Sequence, residues 1–117
     1  MLLVVDDDDL ARNVTARMLM TAGYLVLTAA SGDDALRIVE DDRARAVELV
    51  IADVIMPGMN GPEVAERLRR TSSAPPVLFM SGAIVPPVAP SFPGRYLQKP
   101  FSEQDLLQQV HQLLRHT

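Results

Sequence analysis

The stretch Leu49-Val50-Ile51-Ala52-Asp53-Val54-Ile55-Met56-Pro57-Gly58-Met59-Asn60-Gly61 decides how the rest of the chain is read. Leu49 to Ala52 are apolar without a break, the pattern of a short strand buried on both faces. Asp53 closes the run. Pro57, Gly58, Asn60 and Gly61 then turn the chain, each being a residue that favours tight turns. An unpaired carboxylate is very costly to bury. Asp53 is therefore expected at the rim of a sheet, exposed or neutralised there, and we read it as a nucleophile that takes up a phosphoryl group.

The same pattern recurs outward from this stretch. Leu2 to Val5 form a second apolar run, closed by Asp6, Asp7, Asp8 and Asp9. Val77 to Met80 form another, ending at Ser81 and Gly82, and Arg95 to Gln98 a short one followed by Lys99 and Pro100. Tyr24 to Ala30, rich in Leu, Val and Thr, read as a further strand. Helical spacing separates these runs. Ala11, Val14, Met18 and Ala22 share one face, with Gly23 suited to a left-handed stop. Ser31 and Asp34 form a capping-box pattern ahead of Ala35, Leu36 and Val39, a helix that fades near Asp41 or Asp42. Pro62 suits the first position of the next helix, with Val64, Ala65 and Leu68 inward and Arg69 and Arg70 at its negative end. Ser72 to Pro76 read as loop. Ser102 and Asp105 cap a last helix carrying Leu106, Leu107, Val110, Leu113 and Leu114. Between Ala83 and Gly94 stand four prolines, Pro86, Pro87, Pro90 and Pro93. A helix interior rejects each by roughly 3 kcal/mol, so at most one short turn is expected there.

Five strands alternating with helices imply an α/β fold with a parallel sheet covered on both faces. The flavodoxin-like strand order 2-1-3-4-5 is expected, with the site beyond the carboxyl ends of the strands. The fourth helix should be short or missing. At 117 residues the chain fits a single domain over 1–117.

Composition narrows the function. No run approaches the roughly 20 apolar residues of a membrane span, and no secretory signal precedes the first strand, so the expectation is a cytoplasmic protein with no membrane contact. Cysteine is absent, which excludes disulfides and thiolate metal sites. A net charge of −4 and few aromatics argue against direct nucleic-acid binding.

In a parallel sheet the strand ends share one rim, which gathers Asp6, Asp7, Asp53, Ser81 and Lys99. Three carboxylates there repel one another unless a cation intervenes. All the ligands are oxygens, so a hard ion fits, and magnesium suits them best: it accepts carboxylates, keeps waters and bridges to phosphate. Asp53 would attack phosphorus, Asp6 and Asp7 would hold the ion, Lys99 would supply a point charge, and Ser81 a hydrogen bond to a phosphoryl oxygen.

Val4-Val5-Asp6-Asp7, Asp53-Val54-Ile55-Met56-Pro57-Gly58-Met59-Asn60-Gly61, Met80-Ser81-Gly82 and Lys99-Pro100-Phe101 together resemble the response-regulator receiver domain (CheY-like) of two-component signalling. The resemblance covers nearly the whole chain in order. It implies Asp53 as phosphoacceptor, Asp6 and Asp7 as metal-binding acids, the backbone carbonyl of Ile55 as a further ligand, Ser81 as switch hydroxyl, Lys99 as the family lysine and a cis Lys99–Pro100 bond. Tyr96 matches the switch aromatic, or is a strand aromatic that only packs. The donor implied is a sensor histidine kinase or a histidine phosphotransfer protein, and the chain would be a monomer or weak homodimer, either stand-alone or part of a larger protein. The Ser-Gly opening and Leu-Gln-Lys-Pro-Phe close around the proline-rich segment are similar to receivers fused to sensor kinases. Ile55 and Ala83 sit where this family tunes hydrolysis, and both are apolar, which implies slow self-dephosphorylation.

Two other functions fit parts of the pattern. Asp6 and Asp8 have the Asp-x-Asp spacing of a magnesium-dependent haloacid-dehalogenase-like phosphatase with Asp6 as nucleophile. Leu10 stands where Thr or Val is usual there, and no capping domain is visible. An interaction-only pseudo-receiver would keep the fold without the chemistry. Asp8 or Asp9 can equally be a helix cap, His111 and His116 surface residues, and the methionines packing residues.

Overall fold

A computed structural model describes residues 1–41, 47–71, 74–82 and 95–115. Strands β1 (Leu2–Val5), β2 (Val26–Ala29), β3 (Leu49–Asp53), β4 (Val77–Ser81) and β5 (Arg95–Gln98) alternate with helices α1 (Asp9–Thr21), α2 (Gly32–Glu40), α3 (Gly61–Leu68) and, after β5, α4 (Glu103–Arg115). The strands form one sheet of order β2-β1-β3-β4-β5, every neighbour parallel. The expected α/β architecture and strand order are those observed. The proline-rich expectation for 83–94 concerns residues outside the described ones.

The unbroken apolar runs exist because both faces of the sheet are covered. Alternate residues divide between two cores. Leu3, Val5, Val50, Ala52, Val77 and Phe79 pack with Ala35 and Val39 of α2 and Val64, Ala65 and Leu68 of α3. Leu2, Val4, Leu49, Ile51, Leu78 and Met80 pack with Leu19 of α1 and Leu106 and Val110 of α4. No helix among the described residues is long and apolar enough to cross a membrane.

Local signals set the helix ends. Gly23, at φ +99°, follows α1. Its N–H reaches Met20 O at 2.9 Å and that of Tyr24 reaches Leu19 O at 3.2 Å, the paired closing bonds of a Schellman stop. Asp34 N–H donates to Ser31 Oγ at 3.2 Å. The Ser102–Asp105 box closes in both directions, at 3.0 and 3.5 Å.

Three expectations need correction. The buried stripe of α1 is Thr15, Ala16 and Leu19. Val14 is 45% exposed, Ala22 is exposed, and Ala11 and Met18 are half-buried. Apolar residues lie on several sides of this helix, so spacing alone does not choose a face; the buried set includes the small Thr15 and Ala16. Strand β2 begins at Val26 rather than Tyr24, leaving Leu25 exposed at its foot. Pro62 is the second helical residue, because α3 opens at Gly61 behind the Asn60 cap. Its missing N–H still costs nothing there.

Candidate functional site

The parallel register brings the expected residues to one rim. Asp6 follows β1, Asp53 ends β3, Ser81 ends β4, and Lys99 follows β5. Asp53 lies opposite Met80, so Ser81 stands one residue further toward the rim on the adjacent strand. Carboxylate oxygens of Asp6, Asp7 and Asp53 lie within 4.8 Å of one another.

Each acid has a different environment. Asp6 is fully buried. Its Oδ1 accepts the N–H of Asp8 at 3.0 Å and its Oδ2 accepts from Lys99 Nζ at 3.1 Å. Asp7 is exposed. The Asp53 side chain keeps 15% of its exposure; its Oδ1 accepts the N–H of Ile55 at 3.4 Å and its Oδ2 accepts from Lys99 Nζ at 3.4 Å. One ammonium thus serves two carboxylates. Lys99 is itself fixed at the rim by its backbone N–H, which donates to Ser81 O at 2.7 Å. The Lys99–Pro100 peptide is cis, as the resemblance implies.

Burial pushes the Asp53 carboxyl above the usual carboxylate range; Lys99 opposes this, the Asp6 charge adds to it, and the Ile55 N–H opposes it. For Lys99, burial works downward, but the hydrogen bond and charge of Asp6, then those of Asp53, outweigh it and hold the ammonium above the usual lysine value. A rim with three close carboxylates and one shared cation has negative charge left over. Its donors are oxygens only, and Asp7 offers an exposed carboxylate with no ion pair among the described residues. That donor set fits a hard divalent ion such as magnesium. Charge neutralisation and positioning are also what phosphoryl transfer chiefly requires.

The remaining sequence candidates fall as follows. Ser81 is fully buried. Tyr96 pairs with Phe79 across β4 and β5 and is half-buried against the α2–α3 core. The Ile55 side chain is 63% exposed beside Asp53. Ala83 and His116 lie outside the described residues, and His111 is exposed on α4. Asp8 caps α1, its Oδ1 accepting from Leu10 N–H at 2.9 Å and Ala11 N–H at 3.2 Å. With Asp6 fully buried and both its oxygens engaged, and Asp8 turned to the helix, the Asp-x-Asp phosphatase arrangement gains no support. Arg12, which donates to the backbone carbonyl of Asp6, went unread in the sequence, and Gly61, whose bare Cα meets the backbone of Asp53, was read only as a turn residue. A cation in the first turn of a helix opposes the helix dipole, and that was the available signal for Arg12.

The family model of the response regulator receiver domain matches residues 2–111. The chain belongs to this family. Receiver domains are regulatory signalling domains of two-component systems, and the expected family is therefore the one found. The chain is 37% identical over 116 residues to the sensor kinase CckA of Brucella abortus, covering 96% of this chain and 12% of that protein. It is 39% identical over 120 residues to the response regulator MprA of Mycolicibacterium vanbaalenii, covering 99% of this chain and 51% of that one. The crystal structure of the receiver domain from the hybrid histidine kinase CckA superposes with a TM-score of 0.81 at 39% identity, covering 97% of each chain. This receiver thus spans only a part of the curated relatives it matches, and its similarity includes the sensor-kinase receivers expected from its motifs.

Proposed function

We propose that residues 1–117 act as one receiver unit in which Asp53 accepts a phosphoryl group in a magnesium-dependent reaction. The observation that carries this reading is the Lys99 ammonium held between Asp6 and Asp53, at 3.1 and 3.4 Å, with Asp7 completing the acid cluster. Asp53 Oδ attacks the phosphorus of a phosphohistidine. The new O–P bond forms as the P–N bond breaks, and the imidazole leaves with the electron pair and takes a proton from water. Lys99 steadies the charge on a phosphoryl oxygen, and Ser81 donates a hydrogen bond to another. Asp6, Asp7, Asp53 and the carbonyl of Ile55 would hold the ion, which when bound offsets charge between the carboxylates and the phosphoryl oxygens.

The donor on this reading is a sensor histidine kinase or histidine phosphotransfer protein. The added charge biases Ser81, and with it Tyr96, between two arrangements of the rim. The test is to add magnesium and a small phosphodonor and weigh the protein. We expect a gain of one phosphoryl group, absent in Asp53→Asn. No adduct, or one that survives that substitution, sinks the proposal. The apolar side chain of Ile55 cannot orient an attacking water by hydrogen bonding, so the label should be lost slowly; rapid loss in buffer would contradict that part.

A further inference from the structure

Arg12 is an unexpected residue for its place. It stands in the first turn of α1, where a positive charge opposes the helix dipole, yet its side chain is only 14% exposed. The ion pair it makes with Asp9, at 2.6 Å, does not account for this, because Asp9 is 84% exposed and exposed pairs contribute little. The informative bond is the other one: Arg12 Nη1 donates to the backbone carbonyl of Asp6 at 2.9 Å.

That carbonyl belongs to the peptide linking Asp6 to Asp7. The next peptide, linking Asp7 to Asp8, is held through its N–H by Asp6 Oδ1 at 3.0 Å. Asp6 N–H in turn donates to Ala29 O at 3.1 Å, which ties the turn to β2. Both peptide planes flanking Asp7 are therefore fixed, although Asp7 is exposed and its carboxylate has no ion pair among the described residues. The direction in which Asp7 leaves the backbone, and hence its place in the acid cluster, is set by Arg12 from one side and by Asp6 from the other.

We infer that Arg12 is a positioning residue for divalent-cation binding at the Asp6–Asp7–Asp53 rim. The inference rests on the proposed function only in needing a cation at that rim. It makes a prediction opposite in sign to simple electrostatics. Arg12 brings positive charge close to a cation site, so on Coulomb grounds its removal should tighten binding. Loss of a group that orients a ligand instead weakens binding, by roughly tenfold or more.

The experiment is a magnesium titration of the whole chain at fixed ionic strength, followed by the amide resonances of Asp7, Asp53 and Ile55, for wild type, Arg12→Gln and Arg12→Lys. We expect Arg12→Gln to bind magnesium roughly tenfold more weakly than wild type. Its Asp7 and Asp8 amides should already be displaced before magnesium is added. Arg12→Lys, which keeps the charge but not the fork, should fall between the two, and it decides the matter if Arg12→Gln does not unfold cooperatively. Equal or tighter binding in a folded variant overturns the inference and leaves Arg12 only a tie between α1 and the β1–α1 turn. Absence of magnesium binding in wild type overturns the rim as a cation site, a result that no Arg12 variant can produce.

Discussion

Asp6 and Asp7 leave the sheet in the β1–α1 turn, which is tied by charged hydrogen bonds: Arg12 to the Asp6 carbonyl, Asp6 to the Asp8 N–H, and Asp8 to the first N–H groups of α1. Asp53 leaves it in the β3–α3 turn, which is shaped by close backbone approach. There Gly61 N–H closes on Val54 O at 3.0 Å, and Val54 N–H on Met80 O at 2.8 Å. A Cβ on Gly61 would lie 2.6 Å from the carbonyl oxygen of Asp53 and 3.0 Å from Val54 Cα. Met56 is buried beneath the turn, and Gly58 takes φ +74°. One arm of the site is thus held by electrostatics and the other by sterics, with Lys99 bridging them. The first arm should respond to charge-removing substitutions, and the second to added volume.

Removing the bridge should have the largest effect. Lys99→Met leaves the fully buried Asp6 carboxylate without its cation and should cost about 3 kcal/mol of metal-free stability, read by urea denaturation. A loss near zero would mean that the buried Asp6 carboxylate does not depend on Lys99. Gly61→Ala comes next. Its methyl group must displace the Asp53 peptide or the start of α3, at about 2 kcal/mol by analogy with overpacking, with the Asp53 and Val54 amide resonances moving and those of the β1–α1 turn staying. If the Asp6–Asp8 resonances move as much, the arms are not separate. Asp8→Ala removes the α1 cap and should cost about 1 kcal/mol, with the reverse pattern of shifts.

The smallest effect is a pH dependence. The Asp53 carboxyl is raised above its usual value, first by burial. The folded state therefore holds that proton more tightly than the unfolded state does. The contribution of Asp53 to metal-free stability is present below the ordinary carboxylate range and is lost as pH rises through the raised value. Asp53→Asn should remove that slope, and melting curves across the acid range in chelator would check it. Lys99, raised above the usual lysine value, acts in the same sense at alkaline pH: its contribution is present below that value and lost as pH climbs past it.

The strands were legible because a parallel sheet buried on both faces needs unbroken apolar runs, and the rim acids stand out as polar residues closing them. The Ser102–Asp105 box and the Gly23 stop were legible because capping is local chemistry. The face of α1 was not, since Leu10, Ala11, Val14, Met18 and Met20 spread apolar character around the helix. Which stripe is buried depends on where α1 meets the sheet. Gly61 was legible only as a turn residue. The reason it must lack a side chain is a close approach to Asp53 eight positions earlier, which no local pattern encodes. Asp6 and Asp7 read as equivalent ligands, but the fold buries one and exposes the other, because Asp6 continues β1 inward between Ala29 and Lys99.

Asp53 should accept phosphate only once the acid cluster holds a divalent ion. Phosphoryl uptake from a small phosphodonor, timed with excess magnesium and again in chelator, tests it most directly. Uptake should proceed with the ion, be slight or absent without it, and be severely reduced in Asp7→Asn. Equal rates in chelator would contradict it.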